Sequence, residues 1–222
     1  ERRTWPRPEV KVVRDAADYR PAALVKPAQA PLRTYEDYAV NEMERNAHVG
    51  EEGDLATVRV TDETAASGKH SLRVAEKPGV KLSFVPYVTY PLELQDGVLR
   101  AGFDLRWQQG ALFVYEWRDD PYHYSLGPQL ATDAEGHLKA SGQPIMDLQP
   151  GQWVRCDITC GLGKQNTGEY ALTVKPAGGK AKTFVIAHAE KFETLNCVVV
   201  MSVAPGESVF YLDNVEFRPA AR

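Results

Sequence analysis

From Tyr35 onward, apolar and β-branched runs of five to nine residues recur between clusters of Gly, Pro, Asp and Asn, and no segment carries a long 3.6-residue period. Short runs bounded by turn residues are the pattern of antiparallel strands, which excludes helices as the main building element. The clearest runs are 56–61, 71–75, 98–107, 112–117, 152–160, 169–175, 182–187, 195–203 and 209–217. The turns between them have suitable chemistry, as in Asp133-Ala134-Glu135-Gly136, Pro150-Gly151 and Pro205-Gly206. There, Gly supplies positive φ and Pro sets the first corner position. About a dozen short strands at hairpin spacing predict an all-β antiparallel sandwich, a jelly roll, in preference to a closed barrel.

Residues 1–33 differ from the rest. Pro6, Pro8, Pro21, Pro27 and Pro31 interrupt them every few residues, and each fixes φ and removes a backbone donor. This stretch reads as an extended arm or linker, with a short strand at 10–13 and one helical turn at 15–19, ahead of a sandwich spanning 34–218.

The 222 residues are 43% hydrophobic and 25% charged, enough apolar content for a packed core. With 26 basic and 30 acidic residues the net charge is −4, which gives no electrostatic reason to bind nucleic acid. No apolar run approaches the roughly 20 residues of a membrane-spanning helix, so no membrane partner is expected. The chain starts at Glu1, and the expectation is a secreted, periplasmic or cell-surface protein with its leader removed, or a piece of a larger multidomain protein.

Period-2 alternation assigns faces. Phe103, Leu105 and Trp107 share one side of their strand, with Asp104 and Arg106 on the other. The same rule puts Val154, Cys156, Ile158 and Cys160 on a core face, and likewise Leu195, Cys197, Val199, Met201 and Val203. Cys156 and Cys160 lie roughly 13 Å apart along one strand, too far for a disulfide, so the three cysteines read as buried free thiols.

Three motifs stand in order along the chain: Tyr35-Glu36-Asp37-Tyr38, Ser67-Gly68-Lys69-His70-Ser71-Leu72 and Tyr211-Leu212-Asp213-Asn214-Val215. Together they resemble the aromatic-Glu start, the Ser-Gly-Lys-x-Ser-Leu hairpin and the Tyr-x-Asp-Asn-Val last strand of jelly-roll carbohydrate-binding modules of bacterial polysaccharide-degrading proteins. The resemblance spans residues 35–217 and implies two antiparallel sheets with one concave face. It also implies a structural Ca2+ held by Glu36, Asp213 and backbone carbonyls near Gly68 and Lys69, a donor set that suits calcium. The plainer reading has Asp213 and Asn214 capping a turn.

Residues 107–129 are richest in groups suited to sugars. They include Trp107, Tyr115, Trp117, Tyr122, His123 and Tyr124 beside Arg106, Glu116 and Arg118. Rings stack on apolar sugar faces while charged and amide groups bond hydroxyls. If Phe113, Tyr115 and Trp117 face the core, Glu116 and Arg118 face away from it, where Asp104 and Arg106 are expected to join them in a polar groove. Tyr122, His123 and Tyr124 follow Pro121 in a loop. The leading expectation is a non-catalytic module with Arg106, Glu116, Trp117, Arg118, Tyr122, His123 and Tyr124 as ligand-binding residues and a polysaccharide or oligosaccharide as partner.

Two enzyme readings stand beside it. A polysaccharide lyase would use His123, Tyr122 or Tyr124 as base with Arg118 and Gln129 stabilising charge. A glycosidase would pair Glu116 with Asp104 or Asp119. An architectural domain packing on a partner is the third class. The five histidines and three cysteines show no zinc spacing, and no P-loop, GxSxG or dinucleotide motif occurs, which favours binding over catalysis.

Overall fold

The computed structural model describes residues 32–219; the short strand and helical turn expected within the arm lie outside them. The described residues form fourteen strands in two seven-stranded antiparallel sheets. The first sheet runs, edge to edge, β1 (His48–Gly50), β4 (Tyr87–Leu94), β13 (Leu195–Ser202), β6 (Phe113–Arg118), β7 (Leu126–Thr132), β8 (His137–Ala140) and β9 (Gln143–Asp147). The second runs β12 (Lys182–Ala187), β11 (Glu169–Pro176), β10 (Val154–Leu162), β5 (Gly97–Trp107), β14 (Ser208–Pro219), β3 (Ser71–Glu76) and β2 (Ala56–Thr61). One 3-10 turn, Gly163–Gln165, is the sole helical element among the described residues. The expected jelly-roll sandwich is what the chain forms.

The core fills the space between the sheets. Phe103 of β5 stacks on Tyr115 of β6 at 4.6 Å, and Phe113 meets Phe210 of β14 edge-on at 5.3 Å. Trp117 is 0% exposed, and its indole N–H donates to the Tyr115 hydroxyl at 2.9 Å. Burying that polar handle with a partner lets the whole ring serve as core. At the start of the described chain, Arg33 exchanges backbone hydrogen bonds with Val215 at 2.8 and 3.1 Å.

Alternation assigned β5 and β10 correctly: Phe103, Leu105, Trp107, Val154, Cys156, Ile158 and Cys160 are all buried. It failed on β13. Val198 and Val200 join the main core, whereas Cys197, Val199 and Met201 form a separate cluster with Tyr87 and Val114 on the outer face. The expectation that Cys197 faces the core is therefore corrected. The strand is apolar on both sides, so its sequence holds no polar phase to mark the outer face. A register shift between Leu195 and Cys197 separates the core-facing Leu195 from that series.

Candidate functional site

The outer face of the first sheet is built from side chains that alternate away from the core, and the strand register aligns them in transverse rows. His48, Thr89, Val199, Glu116 and Gln129 are successive partners across β1, β4, β13, β6 and β7. Beside them run Gly50, Tyr87, Met201, Val114, Ala131 and Lys139. A third row sets Pro91, Cys197, Arg118 and Leu126 side by side. Directly opposed side chains on one face touch, so the rows form a continuous surface. Gly50 has a steric reason: a Cβ there would lie 2.1 Å from the Tyr87 ring, so the absence of a side chain lets that ring lie across β1.

At its centre Glu116, 2% exposed, accepts two hydrogen bonds from Arg118, from Nε at 2.9 Å and Nη2 at 2.6 Å. Its other oxygen accepts from Gln129 Nε2 at 3.1 Å. Arg118 lies over the Tyr124 ring at 4.0 Å, a cation–π contact that fixes the guanidinium from its flat side. Arg118 also faces Cys197 across the strands, and although its charge favours the thiolate, burial wins and pushes the Cys197 thiol up.

The loop after β6 edges this surface. Asp120 Oδ1 accepts the backbone amides of Tyr122 and His123, each at 2.8 Å, and Asp119 Oδ1 accepts that of Ser125 at 2.6 Å. Those amide bonds hold the Asp120 carboxyl below its usual range and shape a loop with little apolar anchoring. Tyr122 stands 82% exposed at its tip.

The structure brings Glu116, Arg118, Tyr122, His123 and Tyr124 together on one side of the sandwich. It does not bring in the remaining two. Trp117 lies between the sheets, because it alternates with Glu116 and Arg118. Arg106 lies on β5, in the other sheet, where it donates to the Gly151 carbonyl at 2.7 Å and stands over the Tyr211 ring. Asp104 is there too, accepting from Asn214 Nδ2 at 2.7 Å. The expected groove joining Asp104 and Arg106 to Glu116 and Arg118 is thus corrected: the outer faces of two packed sheets point in opposite directions. A Glu116–Asp104 glycosidase pair is lost for the same reason.

The carboxylates expected to hold calcium grip one turn. Glu36 Oε1 accepts the amides of Lys69 at 2.9 Å and His70 at 2.8 Å. Asp213 Oδ2 accepts those of Ala66 at 2.9 Å and Ser67 at 3.0 Å, and its Oδ1 that of Asn214 at 2.7 Å. Gly68 sits at φ 68°, a backbone conformation that favours glycine, and a Cβ there would lie 2.4 Å from Glu36 Oε1, so its absence lets the carboxylate close on the turn. Asp213 is 0% exposed and forms no ion pair among the described residues. Burial outweighs the three amide bonds and pushes its pKa up to about 6. Each carboxylate has about four lone-pair sites and keeps some beyond these amide bonds, and a buried carboxylate without a cationic partner is the kind of group a cation would relieve.

Sequence reasoning passed over a second cluster. Asp133, Glu135 and His137, on the β7–β8 turn, bring ligand atoms within 4.8 Å of one another and could hold a metal ion. The alternating Asp-x-Glu-x-His spacing was the available signal. In the structure the cluster is supplied with cations of its own: Lys139 Nζ lies 2.8 Å from Asp133 Oδ2, and His137 Nδ1 lies 3.0 Å from it. That proximity raises the His137 pKa above its usual value.

No family model and no curated protein matches the sequence. Solved structures do match the fold. The endo-β-1,4-glucuronan lyase of the fungus Trichoderma reesei superposes over 81% of this chain and 94% of its own with a TM-score of 0.57 at 12% identity. The cellulose induced protein Cip1 covers 83% and 95%, with a TM-score of 0.58 and 10% identity. The PL-14 alginate lyase of Aplysia kurodai covers 72% and 86%, with 0.53 and 12%. What is shared is the jelly roll. At these identities the likeness is one of architecture, consistent with the carbohydrate-binding-module-like sandwich that the sequence motifs resemble. No helix among the described residues is long and apolar enough to cross a membrane.

Proposed function

We propose that this chain is a non-catalytic carbohydrate-binding domain of an exported polysaccharide-processing protein, with its glycan site on the outer face of the first sheet and the loop beyond β6. The observation that carries the reading is the assembly of Arg118 stacked on Tyr124, Glu116 and Gln129 beside it, and Tyr122 projecting at the edge. Rings for sugar faces and a fixed polar set for hydroxyls are the two components of a sugar site. The neighbouring folds act on or are induced by polysaccharides according to their names, which supports the partner class.

Affinity electrophoresis in gels containing polysaccharides tests it. Tyr122→Ala is expected to weaken retention about tenfold, the loss of one stacking ring, while stability stays within ~0.5 kcal/mol because the ring is solvated. Unaltered retention of Tyr122→Ala and Tyr124→Ala on every glycan that retards the parent removes the proposed site.

A structural calcium belongs to the same reading, held by the carboxylates of Glu36 and Asp213 and the backbone carbonyl at Lys69. It would tie the first described segment to the last strand and neutralise Asp213. Melting with added Ca2+ and with a chelator checks this: the calcium form is expected to melt several degrees higher, and identical melts with no bound metal remove the ion from the account.

The lyase reading keeps His123, Tyr122 or Tyr124 as the candidate base, with Arg118 over the Tyr124 ring and Gln129 beside Glu116. It predicts new unsaturated ends, seen by ultraviolet absorbance, when the protein meets uronate polymers, and loss of that signal in His123→Ala.

A further inference from the structure

The strands of the site-bearing sheet contain two cations, Arg118 and Lys139. Both are already neutralised: Arg118 by Glu116 at 2.6 Å and Lys139 by Asp133 at 2.8 Å. The same strands add Glu93 and Asp147, and the adjoining loops carry Asp119, Asp120, Asp133, Glu135, Glu190 and Glu193 against Lys77, Lys81 and Lys191, so acids outnumber bases on this side. His48, His123 and His137 add titratable groups on this side. His48 heads the central row, and His137 stands 3.0 Å from Asp133 and 3.6 Å from Asp147.

Resting on the proposed glycan site, we infer that it selects neutral glycans and rejects uronate polymers, with Glu116 as the residue that sets this choice. A uronate chain carries one carboxylate per sugar, and each must exchange water for a cation or several donors when it docks. Here the one guanidinium at the centre has two of its N–H groups committed to Glu116 and its flat side to Tyr124. An incoming carboxylate would displace a buried anion or sit beside it, and like-charge contact is an effective means of rejecting a wrong partner. A neutral sugar meets no such opposition. It needs ring faces, which Tyr87, Tyr122 and Tyr124 supply, and hydrogen-bonding groups, which Thr89 and Gln129 supply without a net charge.

Retention of the whole chain in gels containing xylan, glucomannan or a soluble cellulose derivative is to be compared with retention in alginate and polyglucuronate. The expected result is retardation by at least one neutral polymer and none by the acidic ones. In Glu116→Gln, an isosteric change that releases the guanidinium, retention on the acidic polymers is expected to rise about tenfold at low ionic strength and to fall again with salt. A parent protein that binds alginate or polyglucuronate as tightly as any neutral glycan overturns the inference while leaving the binding site in place. Retention by no polymer of either class removes the binding reading itself, and this inference with it. If Glu116→Gln unfolds, the comparison on the parent protein alone decides.

Discussion

Trp117→Ala lowers the unfolding free energy by about 3–5 kcal/mol, the cost of deleting a fully buried indole and leaving a cavity. The ring is 0% exposed and donates to the Tyr115 hydroxyl, which loses that donor inside the core. The change is read as a drop in the urea midpoint at unaltered slope. Glycan affinity of the protein that remains folded is expected to stay at the parent value, because the ring lies on the wrong side of β6 to touch a ligand. Loss of binding without loss of stability would instead place Trp117 on the surface.

Asp213 carries the second large effect. Asp213→Ala leaves the amides of Ala66, Ser67 and Asn214 without their acceptor; Ala66 and Ser67 are exposed, so water replaces part of the lost bonding, and the loss is on the order of 1–3 kcal/mol. The titration of the native carboxyl has the opposite sign. Its folded pKa, about 6, stands above the ordinary aspartate value of 3.8, so the folded state holds the proton more tightly. Its contribution is fully present below pH ~4 and is lost as the pH rises through 6. In chelator, then, the protein gains on the order of 2–3 kcal/mol from this group between pH 7 and pH 4. Glu76 and Asp104, also raised by burial, act in the same sense. His188, lowered by burial, opposes them as the pH falls through 6.5. Bound calcium would favour the carboxylate and suppress the Asp213 share. A pH profile identical with and without Ca2+ contradicts the proposed ion.

The strands legible in the sequence are those with an unbroken alternation, such as Gly97–Trp107 and Val154–Leu162. Of those it hid, β1 and β8 are only three and four residues long, and β4, β7 and β9 contain proline. Pro91 lies in β4 beyond Thr89, where β1 no longer pairs with it; Pro128 lies in β7 at the register shift opposite β6; Pro144 lies in the edge strand β9. At each place a missing N–H costs little, so a residue that normally argues against a strand is tolerated. The site followed the same logic. Glu116 and Arg118 were legible as neighbours two apart on one strand, and the 122–124 loop by its proline and aromatics. Their separation from Arg106 and Asp104 was not, because alternation orders faces within a strand and is silent about which sheet the strand joins. The face of Cys197 was hidden by an apolar strand whose outer side is recessed among Tyr87, Val114 and its own neighbours.

The most direct measurement is a titration of isotope-labelled protein with a neutral oligosaccharide, following backbone amide shifts. Perturbations are expected to group at Thr89, Glu116, Arg118, Gln129 and residues 122–124, with Asp104, Arg106 and Arg155 on the opposite sheet unmoved. Shifts confined to that opposite sheet, or none with any glycan, would contradict the proposed site.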